Sequence, residues 1–113
     1  MAIDFANLKP RELPTKTITV NVLGVPQSLD IHPLTGQTRL AYWATDFIED
    51  RLELVNRRTR LALTNGADLT EDEAEKLIGL DWDAALEVVA QVNIMTQEFD
   101  EAVAKEKAEA EKN

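Results

Sequence analysis

The chain changes hydrophobic period twice. Over residues 17–23 it alternates: Ile18, Val20 and Val22 fall on one side, Thr17, Thr19 and Asn21 on the other. Residues 28–32 alternate again, with Leu29 and Ile31 between Ser28, Asp30 and His32. Gly24-Val25-Pro26-Gln27 reads as the connector, so the two segments form an antiparallel hairpin with one buried face. Two strands alone are marginal in water, so that face is expected to pack on a helix, the central one. From residue 38 the period becomes helical. At about 100° per residue, Leu40, Trp43, Ala44, Phe47, Ile48, Leu54, Val55, Leu61 and Ala62 collect on one face over residues 38–63. Tyr42, Asp46, Glu49, Glu53, Arg57 and Arg60 take the opposite face, with Glu53 and Arg57 spaced as a surface ion pair. Asn65-Gly66 is the expected stop, with Gly66 left-handed.

A short helix follows within residues 67–79. Thr70 is its N-cap, Glu73 completes a capping box, Leu77 and Ile78 supply apolar contacts and Gly79 ends it. Asp81 caps the last helix, residues 82–105. Its apolar residues, Trp82, Ala85, Leu86, Val88, Val89, Val92, Met95, Phe99 and Val103, span an arc of roughly 200°, wider than one neighbour requires. Either the central helix and the hairpin both cover this arc, or one edge of it, around Val88, Met95, Phe99 and Val103, is left for a partner. Ile94 lies off the arc and is expected to be exposed.

The pattern therefore gives an α+β fold, an N-terminal β-hairpin packed on a mainly helical domain with two long helices and one short one. Residues 15–104 form the single domain. Residues 1–14 read as a flexible arm, interrupted by Pro10 and Pro14, in which Phe5, Leu8 and Leu13 can seat in a groove. Residues 105–113 read as a charged tail of high helix propensity without an apolar stripe.

Charge divides the chain. Residues 1–66 carry 8 Lys/Arg against 7 Asp/Glu, whereas residues 67–113 carry 4 against 14, so nearly all of the net −9 lies in the second half. This asymmetry favours head-to-tail association of copies, or a basic partner for the acidic half, and opposes binding of nucleic acid there. Arg51, Arg57, Arg58 and Arg60 are the candidates for such self-association. Arg51 and Arg58 also project into the apolar stripe; their heads either snorkel to solvent or meet carboxylates of the last helix or of a partner chain. The absence of cysteine excludes disulfides and thiolate-ligated metal. No apolar run has membrane length and no signal pattern opens the chain, so a cytoplasmic protein is expected.

Catalytic chemistry has little to work with. His32, the single histidine, has no nucleophile or metal ligands at a recognisable spacing and reads as exposed and structural. The acids Glu71, Asp72 and Glu73, and the pair Asp81 and Asp83, are explained by helix starts. With no Gly-rich phosphate loop and only four glycines, no enzyme, metal or cofactor is indicated.

A small acidic chain with a Pro-containing arm, an Ile18–Ile31 hairpin, amphipathic helices and a charged Ala/Glu/Lys ending resembles the tail assembly chaperones of long-tailed (siphovirus-type) bacteriophages. The resemblance spans nearly the whole chain and is architectural. It implies a non-enzymatic protein that binds the tape measure protein, recruits tail tube subunits, self-associates in the host cytoplasm and is absent from the mature virion. It also implies a longer product made by frameshifting: Glu111-Lys112-Asn113 can be encoded as GAA-AAA-AAC, which contains a slippery heptamer. The competing readings are a head–tail connector or minor structural protein of the phage, and an acidic antitoxin-like or DNA-mimic inhibitor.

Overall fold

A computed structural model describes residues 2–8 and 11–111. The fold is α+β: an antiparallel two-stranded hairpin followed by four helices. In chain order these are β1 (Lys16–Val22), β2 (Val25–Ile31), α1 (Gly36–Ala44), α2 (Arg51–Gly66), α3 (Glu71–Leu80) and α4 (Trp82–Glu111). Short 3-10 turns occupy Phe5–Asn7 and Thr45–Phe47.

The hairpin forms as its alternation requires, with Ile18 opposite Leu29, Val20 opposite Gln27 and Lys16 opposite Ile31. Ile18, Val20 and Ile31 are buried. Its turn is tighter than expected. Leu23 and Gly24, with φ of 51° and 81°, make a two-residue connection, and Val25-Pro26-Gln27 belong to β2 rather than to a loop. Both left-handed residues suit the right-handed twist of a hairpin. In this register Val25, Gln27 and Leu29 direct their backbone groups to β1, while Pro26 and Ser28 face outward. Pro26, lacking an N–H, is therefore tolerated in a free edge. The hairpin packs on α4, through β1, rather than on the central helical segment.

The central segment is not one helix. It breaks after the Thr45–Phe47 turn, residues 48–50 are extended or irregular, and α2 starts anew. Asp50 causes the restart: its carboxylate accepts the N–H groups of Leu52 and Glu53 at 2.9 and 3.1 Å, an N-cap for α2. Because the break uncouples the two helical phases, α1 is turned around. Tyr42 packs inward, while Leu40, Trp43, Ala44 and Phe47, expected in the core, are exposed. Glu53 and Arg57 do form the surface pair, at 3.7 Å.

The end of α2 also departs from expectation. Gly66 is helical, and the left-handed residue is Asp68, with φ 54°. Leu69 returns its N–H to the Leu63 carbonyl at 3.1 Å. Gly66 is small because α4 crosses it: an added Cβ would lie 2.4 Å from Val92 Cγ1. Of the fourteen buried apolar residues among those described, five are alanine, in keeping with helices that approach closely.

α3 carries the full capping box. Glu73 N–H donates to the Thr70 hydroxyl at 3.1 Å, and Thr70 N–H to the Glu73 carboxylate at 3.0 Å. It runs one residue past Gly79. α4 continues as helix through the segment read as a tail, exposed over its last turns, to Glu111. Its 30 residues span about 45 Å, longer than the core it serves. The molecule is accordingly elongated, 52 × 33 × 26 Å, with a radius of gyration of 16.4 Å; a compact chain of this length would have roughly 13 Å. Its accessible surface is 8359 Å², against roughly 6200 Å² for a typical folded chain of its mass.

Candidate functional site

Among the described residues, two of the exposed apolar surfaces are shaped by contacts between elements. The first is the elbow between α1 and α2. Here a polar knot holds α1 with its hydrophilic side inward. Arg58 Nε donates to the buried Thr45 hydroxyl at 2.6 Å, its Nη2 pairs with Asp46, and its guanidinium lies 5.4 Å from the centre of the Tyr42 ring. Thr45 in turn donates to the Tyr42 carbonyl at 2.5 Å. Arg39 reaches across to α4 and grips both oxygens of Asp100, at 2.7 and 2.5 Å. That hydrogen bonding raises the Arg39 pKa and holds the Asp100 carboxyl below its ordinary value, in each case against the opposing effect of burial. With Arg39, Tyr42 and Thr45 committed inward, the opposite side of α1 must face out. Trp43 and Phe47 are 59% and 73% exposed and stack edge to face, ring centroids 5.4 Å apart. Leu40 and Leu52 are exposed as well. A groove of about 370 Å³ between α1 and α4 runs beside Trp43.

The second surface is a groove of about 630 Å³ between the hairpin and α3, with Val88 of α4 lining it. Val22, Val25 and Leu29 line the hairpin side, Leu69, Leu77 and Leu80 the helical side. Two ties hold its walls. At the hairpin tip, Leu23 N–H donates to Asp81 Oδ2 at 3.0 Å, while the other oxygen of the same carboxylate caps α4 through Ala84 N–H at 3.2 Å. The Leu23 bond, then the Ala84 bond, hold the Asp81 carboxyl below its ordinary pKa. At the base, His32 N–H donates to the Gly66 carbonyl at 2.8 Å, and its ring lies between Asp68 Oδ1 (Nε2, 2.9 Å) and the Pro33 carbonyl (Nδ1, 3.0 Å). His32 is thus half-buried and clasped rather than exposed. Burial works against its charge, but the Asp68 and Pro33 bonds prevail, and the pKa is raised. Both ring nitrogens face acceptors, so only the imidazolium satisfies both.

The residues singled out from the sequence are scattered by the fold. Val88 and Met95 are 1% and 8% exposed and belong to the core, with Val88 at the floor of the hairpin–α3 groove. Phe99 and Val103 are half-buried, while Ile94 is exposed as expected. Arg51 and Arg57 are exposed. Arg58 finds its carboxylate in the neighbouring turn, in Asp46, rather than in α4. Arg60 lies 3.0 Å from Asn56 and 3.7 Å from Glu75 of α3. The sequence reading missed the elbow because it carried one helical phase across residues 48–50. The signal was present in Asp50-Arg51-Leu52-Glu53, an N-cap residue followed by glutamate three positions on.

Among the described residues, every buried side-chain nitrogen and oxygen has a hydrogen-bond partner, and no group of three or more His, Asp or Glu is placed to hold a metal ion. No helix among them is long and apolar enough to cross a membrane. Compared with protein families, curated proteins and solved structures, the chain gives no match.

Proposed function

We propose that this protein is a non-enzymatic tail assembly chaperone of a long-tailed bacteriophage, which shields the tape measure protein in the host cytoplasm, recruits tail tube subunits and leaves before the virion is complete. The observation that carries the reading is the elbow: the paired rings of Trp43 and Phe47, together with Leu40 and Leu52, are apolar side chains that the chain leaves in water. A tape measure protein is long, helical and apolar, and needs such surfaces against it before polymerisation. The acidic second half keeps the resulting complex soluble. The partner named here follows from the architectural resemblance, and the exposed elbow is the surface we assign to it.

Co-expression with the tape measure protein of the same genome tests this. The wild type should keep the tape measure protein soluble and co-purify with it. Trp43→Asp combined with Phe47→Asp should abolish both effects while leaving the circular dichroism spectrum unchanged, since both rings are exposed. A tape measure protein that precipitates equally with wild type and variant refutes the reading. Recovery of the protein in stoichiometric amount from purified virions would identify a structural component instead.

A further inference from the structure

The elbow is apolar outward because its polar groups are spent inward. No residue of α1 is buried; Arg39, Tyr42 and Thr45 hold the segment through polar contacts to α4 and α2. Leu40, Trp43, Phe47 and Leu52 are left 62%, 59%, 73% and 84% exposed. At those exposures they leave roughly 550 Å² of each copy open, so two copies covering one another there would bury roughly 1,100 Å², above the about 1,000 Å² that a specific contact needs. Aromatic side chains such as Trp43 are the usual anchors of such contacts.

Charge selects the partner. Residues 36–53 carry six charged side chains: Arg39, Asp46, Glu49, Asp50, Arg51 and Glu53. Four are spent within the chain: Arg39 on Asp100, Asp46 on Arg58, Glu53 on Arg57, and Asp50 as the N-cap of α2. Glu49 and Arg51 are exposed and, among the described residues, form no ion pair. Both lie between Phe47 and Leu52 in the chain, at the edge of the apolar patch. One anion and one cation on the rim disfavour a partner strongly charged in either sense. They are complementary to the same rim after a half-turn, Glu49 of one copy meeting Arg51 of the other and the reverse. Of the four arginines put forward for self-association, Arg51 is thus the one left for it; Arg57, Arg58 and Arg60 pair within the chain. Surface charges farther apart than about 8 Å are largely screened at physiological ionic strength, so the net −9 of each copy opposes this contact little.

We propose that two copies pair elbow to elbow about a two-fold axis, the Trp43 and Phe47 rings of each covered by the other and Glu49–Arg51 pairs closing the contact on both sides. Such a contact is isologous and stops at two copies, unlike the head-to-tail assembly that the overall charge asymmetry favours. The dimer is then the form in which the elbow is kept out of water, and an apolar client must displace one copy to reach it. The inference names what covers this surface when no client is present and does not rest on the phage reading.

Charge reversal tested by sedimentation at about 0.15 M salt decides it. The wild type should show monomer and dimer alone, with dimer predominating at about 100 μM, the weak end for a contact of this size. Glu49→Arg and Arg51→Glu, each at an exposed position that leaves the Asp50 cap in place, should each raise the dissociation constant at least about fivefold, because two attractive pairs become two repulsive ones. The double variant Glu49→Arg/Arg51→Glu should return to within about twofold of wild type, and the two single variants mixed should dimerise better than either alone. Circular dichroism of all three should match wild type. A wild type that stays monomeric up to about 1 mM, a species larger than the dimer, single variants that dimerise as wild type does, or a double variant as weak as the singles would each overturn the proposal. All three variants keep the four apolar side chains of the elbow, so these results do not bear on whether it holds the tape measure protein. A tape measure protein that precipitates in the co-expression experiment leaves the dimer standing.

Discussion

Gly66→Ala is the most informative single substitution in the packing of this fold. The added methyl would sit 2.4 and 2.8 Å from the two Val92 methyls, and 3.2 Å from its Cβ. No rotamer of alanine avoids this, so α2 and α4 must part or Val92 must turn. Overpacking of this kind costs about 1–3 kcal/mol. Replacing glycine in a helix returns up to about 1 kcal/mol of propensity, less at a terminal position. A net loss of about 1–2 kcal/mol is expected, or a fall in Tm of roughly 4–10 °C. The helix pair is displaced where Gly66 also accepts the His32 N–H, so amide exchange at His32 should quicken. Val92→Ala removes the two clashing carbons and alone should cost about 1.5–3 kcal/mol through lost burial and a cavity. Combined, the two substitutions refill the space, and a favourable coupling of at least about 1 kcal/mol should appear in urea titrations of the four proteins. A Gly66→Ala protein as stable as wild type, or a double variant whose loss equals the sum of the singles, would show that α2 and α4 do not meet as described.

Three further outcomes are expected. The His32 clasp contributes stability fully below the ordinary histidine pKa of 6.5 and loses it as pH rises through the raised folded value; Tm measured between pH 5.5 and 8.5 should therefore fall more steeply in wild type than in Asp68→Asn. Asp81→Ala removes the tie at the hairpin tip together with the α4 cap, so amide exchange at Leu23 and Ala84 should accelerate together, whereas a change at only one would break the link between them. Leu23→Asn relieves a left-handed leucine beside Gly24 and should raise stability by about 0.5–1 kcal/mol in thermal melts, provided the turn is the two-residue one.

Local chemistry made much of this fold legible. The alternation around Ile18 and Ile31, the Thr70–Glu73 box and the Asp81 cap each depend on residues within a few positions of one another. What escaped was the relation between segments. Residues 48–50 contain neither glycine nor proline, so a helical period runs across a real break, and α1 was placed with Trp43 inward and Tyr42 outward. The polar knot of Arg58, Thr45 and Asp46 reverses that choice, but it joins side chains of two separate helical turns and leaves no periodic trace. The arc of α4 left two readings open, cover by the central helix and the hairpin together or an edge left for a partner. With α2 and β1 both packed on α4, Val88 and Met95 are buried, as the first of these has it. Gly66 looked like a stop signal, and only the position of Val92 explains it.

The Arg11–Glu106 contact brings the segment leading into the hairpin beside the last turns of α4, so a chain trimmed to those two points has its ends side by side. A few linking residues should suffice to fuse them, and the molecule can then be opened elsewhere. The exposed stretch between Phe47 and Asp50 is the natural place to cut, provided the cut falls before Asp50 so that the new leading helix keeps its carboxylate cap. A circularly rearranged protein of that kind would retain hairpin, α3 and α4 in one uninterrupted piece, with the Trp43–Phe47 pair next to its new carboxyl end.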